Sequence, residues 1–536
     1  MLNLNECLSQ NIVVDKDKCV FCGKCAEVCA LDNLRFRLAP CRQACPMGLN
    51  CQGYVQLILR GEEEKALKMI MEDMPLPGVL GRVCHHPCEA KCNRKNVDGE
   101  GVALRVLKRY LADRHKIEFE FSSQLEKQEK VAVIGGGPAG ILAAYNLRKK
   151  GYQVIIYEAS CRLGGMLTKC IPEYRLPQAV VQAETEFIEK MGIKVIYNTT
   201  VGQDLPMETI IEQYDAVVLA VGLQNSKKLG LPGEDAHNVY HALEFLNQAK
   251  YNQDQIKTLG EVLVIGGGNT AVDAAQTAKR LGAENVRIAC LETYDTLPAF
   301  HEEVASALAE GIIFEYGWGP KSFVTENSLV KSVNFTRCLS TVDRDGKFNP
   351  RFSNGESILF DADTVIVAIG QEIASSLNEE IKTEGGCIAV DRVTKQTNIE
   401  KIFAAGDAAA RGSKSIIDAM AQGREAAESV HRFISGIPLD YNRNAFLDHC
   451  ELEFEVDYSE AASIPKLNPL KLQGLDRLSF KELEKEITQE QAVSEAKRCL
   501  SCGGSYGKFR TCWSCLPCEH ECPANALQVK IPYLMR

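Results

Sequence analysis

Val131-Ala132-Val133-Ile134-Gly135-Gly136-Gly137-Pro138-Ala139-Gly140 decides the fold of this 536-residue chain. Four apolar residues read as a buried strand, the glycines as a tight turn, and the residues after them as a helix. In such a turn Gly135 permits the reversal, the middle glycines (Gly136 and Gly137) let the backbone approach a pyrophosphate, and Gly140 packs helix on strand. The helix N-terminus then offers unpaired N–H groups and a favourable dipole to phosphate. Glu158 closes the next strand candidate, Val154–Tyr157, where a carboxylate accepts hydrogen bonds from a ribose. Strand, glycines, helix and acid agree, so a merely structural turn is the weaker reading.

The layout recurs. Val262–Ile265 leads into Gly266-Gly267-Gly268-Asn269-Thr270-Ala271, with alanine where helix packing matters more than phosphate access. The strand Val286–Ala289 then runs into Cys290-Leu291-Glu292. A 2′-phosphorylated cofactor usually meets arginine at this point; Glu292 would repel that phosphate and suits a free hydroxyl. NAD(H) is therefore expected in preference to NADP(H). Further strand candidates at Lys194–Tyr197, Ala216–Val221 and Thr364–Ile369 alternate with helices, the pattern of parallel sheets covered on both faces.

Composition narrows the class. Hydrophobic residues at 45% and charged residues at 25% are ordinary for a globular protein, and the formal charge of −10 argues against nucleic acid. No apolar run reaches membrane-helix length, and Met1 to Asp17 lacks an apolar signal core, so a cytoplasmic protein without a membrane span is expected. The outlier is cysteine, with 23 in the chain. Cys161, Cys170, Cys290, Cys338, Cys387 and Cys450 are scattered and read as small core residues. The others gather in three groups, which in a reducing compartment points to metal ligation rather than disulfides.

Cys19-x2-Cys22-x2-Cys25-x3-Cys29 has bacterial ferredoxin spacing, and Cys512-x2-Cys515-x2-Cys518-x3-Cys522-Pro523 repeats it with its proline. Three closely spaced thiolates hold three corners of a cubane, and the fourth usually serves the other cluster. The two runs are thus candidates for a split two-cluster ferredoxin. Cys19, Cys22, Cys25 and Cys522 would hold one cluster, and Cys512, Cys515, Cys518 and Cys29 the other. The rival is a local fourth ligand for each run, for instance Cys7 or Cys499. Zinc prefers separated pairs. A middle group, Cys41, Cys45, Cys51, Cys84, Cys88 and Cys92, lies in a stretch with helical apolar spacing at Tyr54–Met71 and Val102–Leu111. Cys499 and Cys502 form a further pair after a helix candidate, Thr488–Arg498.

Gly135–Gly140, Gly164-Gly165-Met166-Leu167, Ile171-Pro172-Glu173-Tyr174-Arg175-Leu176-Pro177, Gly266–Asp273 and Gly406-Asp407 together resemble the glutamate synthase small-subunit family, and are similar to the N-terminal half of dihydropyrimidine dehydrogenase. The resemblance covers residues 39–435. It implies one FAD domain built from Gly135–Gly140, Glu158 and Gly406-Asp407, with the Gly164-Gly165-Leu167 loop and Arg175 beside it. An NAD(P)H domain around Gly266, Gly268, Asn269, Thr270 and Glu292 is inserted between its two halves. The middle cysteine stretch resembles the family's helical domain with two [4Fe–4S] clusters beside the flavin. Larger members carry an extra cysteine pair just before Cys41, which this chain lacks. Either one cluster is missing, or Cys51 and the terminal cysteines substitute. At least one cluster is expected on Cys45, Cys84 and Cys88, with Cys41 and Cys92 as further ligands; His85 and His86 are not expected to ligate.

The expected architecture is α/β, with two Rossmann-like dinucleotide-binding domains, an N-terminal α-helical iron–sulfur domain and ferredoxin-like terminal segments. The boundaries are residues 1–38 (ferredoxin-like), 39–128 (helical), 129–255 and 376–445 (FAD), 256–375 (NAD(P)H), 446–498 (linker and helix) and 499–536 (ferredoxin-like). No cysteine pair accompanies the flavin motifs, so electrons leave the flavin for the clusters, three or four in number, rather than for a disulfide. The expected function is an NADH oxidoreductase subunit exchanging electrons with ferredoxin or another redox subunit. An NADPH-dependent glutamate synthase small subunit and a stand-alone disulfide or quinone reductase are the alternatives.

Overall fold

The computed structural model describes residues 11–15, 17–31, 33–115, 127–256, 259–373, 380–409, 415–441, 443, 458, 461, 463–507 and 512–530. The Cys7 and Cys450 positions lie outside the described residues.

Two five-stranded parallel sheets form the frame. In the first the order is Ile402–Ala404, Ala216–Leu219, Lys130–Ile134, Gln153–Tyr157, Lys194–Ile196. Val131, Ala132 and Val133 are fully buried, as a parallel strand covered on both faces requires. The strand from residue 402 enters beside one from residue 216, so the intervening chain forms a separate lobe. That lobe's sheet runs Ile313–Tyr316, Asn285–Cys290, Glu261–Ile265, Thr364–Val367, Val239–His241. Val239–His241 and the helix Ala242–Tyr251 both pack in this second lobe, so it begins well before the expected boundary at 256.

One sheet was not foreseen. Trp318–Glu326, Leu329–Val342 and Phe348–Asp361 form an antiparallel three-stranded sheet, and its Phe323, Val333, Phe335 and Phe360 cover one face of the second parallel sheet. Its outer face is exposed and mostly polar, broken by separated apolar residues such as Val324 and Leu359, which hides the strands from any search for continuous apolar runs.

The helical stretch also departs in detail from the expectation. Tyr54–Met71 is not one helix but two, Cys51–Leu59 and Glu63–Asp73, broken at Gly61, which adopts φ 72°. With Pro77–Val83 and Leu104–Arg114 they bury Leu57, Ile58, Ile70, Leu80 and Leu107 in a core continuous with Ile141, Leu142 and Leu147 of the first lobe. The helical part and the FAD-type lobe therefore share one core. Residues 463–498 are more than a linker: Glu482 pairs with Arg82, Glu484 with Arg105, and Arg280 donates to the Ser479 carbonyl, strapping three parts together.

Finally, the ferredoxin-like segments are one unit. Ile12–Val14 pairs antiparallel with Leu527–Val529, and Leu34–Arg37 with Gly504–Gly507. The helix Gln489–Ala496 precedes the second of these strands, and Arg498 just after it is completely buried. Arg498 donates to Asp98 at 3.0 Å, to Glu495 at 2.8 Å and to the carbonyls of Ile464, Gly101 and Glu100. Removing one partner of a buried, fully bonded charge network costs about 3–5 kcal/mol, because the remaining charges lose their counter-ion. Arg498→Leu is accordingly expected to lower the unfolding free energy of the first denaturant transition by that amount, read by circular dichroism, whereas Arg344→Leu on an exposed turn leaves it unchanged.

Candidate functional site

A cavity of about 460 Å³ lies between the lobes. Gly135, Gly137, Glu158, Gly165, Leu167, Arg175, Asn269, Thr270, Gly406 and Asp407 line it, so both glycine turns and the downstream Gly-Asp converge on one space. The helix Pro138–Lys149 starts at its wall with Gly137 as cap and Pro138 in the first turn, a position where the missing N–H is no loss. The helix Ile416–Ile434 also opens on it through Ser415 and Ile416. Two helix N-termini facing one cavity suit a cofactor with a diphosphate.

The first turn is built for close approach. A Cβ on Gly140 would sit 1.9 Å from the Gly135 carbonyl oxygen, so no side chain fits where helix meets strand. Glu158 accepts from the Gly136 N–H at 2.7 Å through one oxygen and from Ser160 through the other, which fixes the carboxylate at the strand end where a ribose would lie. Gly164 donates to the Gly136 carbonyl at 2.8 Å, holding the second glycine loop against the first. These residues fit an FAD adenosine and diphosphate.

The second turn repeats the plan. Gly268 caps the helix Asn269–Arg280, and the Glu292 carboxylate stands over Gly267, 2.7 Å from where its Cβ would be, as Glu158 stands over Gly136. Burial pushes the Glu292 carboxyl up from its ordinary range. Gly266, Gly268 and Glu292 lie beside the large cavity rather than in its lining. Arg175 is not a free cofactor contact: its guanidinium is gripped by Asp273 at 2.6 and 2.8 Å and by Glu303 at 2.6 Å, tying the first lobe to the second.

His85 and Phe300 were not expected here. Val83 and His85, on either side of Cys84, reach the cavity from the helical part, and Phe300 reaches it from the second lobe. The two rings stack with centroids 5.4 Å apart and planes 5° apart. The only sequence signal was His85's adjacency to Cys84. Cys170, by contrast, is buried in the second lobe with its thiol toward the Leu243 carbonyl, and burial pushes it up to about 12.

The clustered thiols fall into four groups. Cys19, Cys22, Cys25 and Cys522 surround one small hollow, and Cys518 lies among Cys512, Cys29, Cys25 and Cys515 beside it. Cys41, Cys92, Cys499 and Cys502 line a third. Cys45 and Cys84 both face Cys88, and buried Cys51 reaches Cys88 on one side and Cys41 on the other. Backbone N–H groups point at the sulfurs: Phe21 at Cys19, Leu34 at Cys29, His86 at Cys84, Ser514 at Cys512 and Ala526 at Cys522, all within 3.4 Å. Such donors stabilise thiolates and tune cluster potentials. As free thiols Cys19 and Cys518 resist ionisation, both pushed up to about 11 by burial and by neighbouring sulfurs. A bound cation reverses that penalty by deprotonating its ligands. Among the described residues no three such side chains converge as around a single ion; a cubane, with its thiolates at separate corners, asks for wider spacing.

Two stacked dinucleotide lobes sharing a cavity with a thiol-rich helical domain define a flavin- and nicotinamide-using oxidoreductase. The chain belongs to the pyridine nucleotide-disulphide oxidoreductase family, which matches residues 129–423, and residues 34–119 match the dihydropyrimidine dehydrogenase domain II 4Fe-4S family. It is 33% identical to the NADP(+)-dependent formate dehydrogenase subunit beta of Moorella thermoacetica, over 92% of this chain and 74% of that one. It is 30% identical to the glutamate synthase [NADPH] small chain of Azospirillum brasilense, over 73% of this chain and 86% of that one. The fold is shared with FprA of Mycobacterium tuberculosis in complex with NADPH (TM-score 0.50, 16% identity, 58% of this chain and 85% of that chain). The chain is an enzyme, an iron–sulfur oxidoreductase dependent on FAD and NAD(P). Among the described residues no helix is long and apolar enough to cross a membrane.

Gly140→Val should abolish flavin retention, because the added side chain must displace the Gly135 carbonyl and open the diphosphate turn. The visible flavin absorbance relative to protein reports it, with folding checked by circular dichroism.

Proposed function

We propose that this chain is an NADH-preferring electron-transfer subunit that moves electrons between NAD(H) and four [4Fe–4S] clusters, and between those clusters and a partner redox subunit or ferredoxin. One observation carries the reading: Val83 and His85, flanking Cys84, line the same cavity as Gly135, Glu158 and Asp407. A flavin held there would lie against the residues on either side of Cys84. FAD, when bound, exchanges a hydride with nicotinamide and single electrons with iron–sulfur centres.

The protein's residues supply position. Glu158 fixes the FAD ribose, the helix capped by Gly137 faces its diphosphate, and Gly406-Asp407 with the helix after Ser415 hold the other end. Gly266, Gly268, Asn269 and Thr270 present the second helix N-terminus to the nicotinamide cofactor. Arg175, bound to Asp273 and Glu303, sets the distance between the lobes. Cys45, Cys84 and Cys88 are assigned to the cluster beside the flavin, with Cys51 as fourth ligand. The split ferredoxin pairing of Cys19, Cys22, Cys25 and Cys522 against Cys512, Cys515, Cys518 and Cys29 is favoured over a local fourth ligand, because the paired strands bring the two runs face to face.

The preference for NADH rests on Glu292. The same corner also holds Arg337, which donates to the Tyr316 carbonyl and lies over Trp318. That arginine favours NADPH, as do the names of the formate dehydrogenase and glutamate synthase relatives. The formate dehydrogenase relative, which aligns with most of this chain, supports a partner subunit as the electron donor or acceptor. Anaerobic NADH is expected to bleach the flavin and then reduce the clusters, and Glu292→Arg to shift the NADPH-to-NADH ratio of kcat/KM upward by about 10-fold or more, the worth of one charge-assisted hydrogen bond. A wild-type enzyme that responds to NADPH alone would assign the corner to Arg337 instead.

A further inference from the structure

We propose that Cys499 and Cys502 complete, with Cys41 and Cys92, a separate [4Fe–4S] cluster that links the ferredoxin-like unit to the cluster beside the flavin. This rests on the reading of the thiol groups as cluster sites.

The placement is built rather than incidental. Cys499 and Cys502 are carried by the segment that begins with buried Arg498, whose hydrogen bonds to Asp98, Gly101 and Glu100 seat it on the loop just after Cys92. Gln52, on the helix that starts at Cys51, accepts from the Gly503 N–H at 2.7 Å and donates to its carbonyl at 3.3 Å. The Asn93 amide reaches the Cys502 sulfur at 3.6 Å. The four cysteines line one hollow, and no cysteine of the ferredoxin runs shares its lining. The segment at 499–502 thus fills the place of the pair that is missing before Cys41.

Its position orders the centres. The strand Leu34–Arg37 leads from the ferredoxin-like unit into Cys41, and its partner Gly504–Gly507 leads back out from Cys502. On the other side Cys51 reaches both Cys41 and Cys88. Single electrons therefore pass from the flavin-side cluster through this one to the ferredoxin-like pair, or in reverse, each centre being reduced as its neighbour is oxidised.

The test uses the full chain purified anaerobically. Cys499→Ser/Cys502→Ser and Cys41→Ser should each remove the same electron paramagnetic resonance signal and about four irons per chain, while FAD content and NADH bleaching of the flavin persist. In the unmodified protein, thiol alkylation should spare Cys41, Cys92, Cys499 and Cys502 together and label all four together on iron chelation. Alkylation of Cys499 in the iron-replete protein would overturn the assignment, even if the variants prove insoluble. So would unchanged iron in Cys499→Ser/Cys502→Ser, or loss of different signals in the two variants. Absence of iron from the wild type would instead defeat the broader reading, so the two failures are distinguishable.

Discussion

Antiparallel pairing between segments from opposite parts of the sequence is the constraint on which this molecule depends. Ile12–Val14 with Leu527–Val529, and Leu34–Arg37 with Gly504–Gly507, bring together four cysteine-bearing loops that the chain itself separates widely. Cys25 and Ser505 hydrogen-bond at 2.8 Å across 480 residues of chain. Neither strand pair is long, and a two-stranded ribbon is marginal alone in water. The small core of Ile12, Leu34, Leu527 and Val529 is supplemented by the arginine network farther in.

That network shows how the helical part accepts a foreign segment. Arg94 and Arg498 are the largest fully buried side chains, and Asp98 serves both. Burying guanidinium groups is tolerable only where each donor finds an acceptor, and here backbone carbonyls and the carboxylates of Asp98 and Glu495 supply them. The arrangement fixes one register for the segment at 499–502. A greasy contact of similar area would allow the helix Gln489–Ala496 to slide, and with it the spacing of sulfurs to which electron transfer is sensitive. The same logic recurs at Arg175, which holds two lobes with Asp273 and Glu303.

Function follows from adjacency. The helical part shares its core with the first lobe, so Cys84 cannot move independently of the glycine turn at Gly135. A rigid joint there and an ionic one between the lobes place the flavin cavity between a nicotinamide turn and a thiol group. Of the scattered cysteines, Cys170, Cys290, Cys338 and Cys387 are packed as small apolar residues, whereas Cys161 is exposed rather than in the core.

The sequence by itself determined the two dinucleotide turns, the acidic residues that close the following strands, and the ferredoxin spacing, because each is a local pattern whose chemistry depends on a few consecutive residues. Glu158 and Gly140 were legible for that reason. It did not determine the antiparallel sheet at residues 318–361, whose mostly polar outer face conceals its strands, nor the start of the second lobe at Val239, a strand too short to announce its sheet. The roles of His85 and Phe300 were equally out of reach. Only the tertiary structure decided that Cys499 and Cys502 meet Cys41 and Cys92, since the two pairs lie hundreds of positions apart and nothing in their spacing points to one another. Their meeting is set by buried arginines and paired strands, and those act through space.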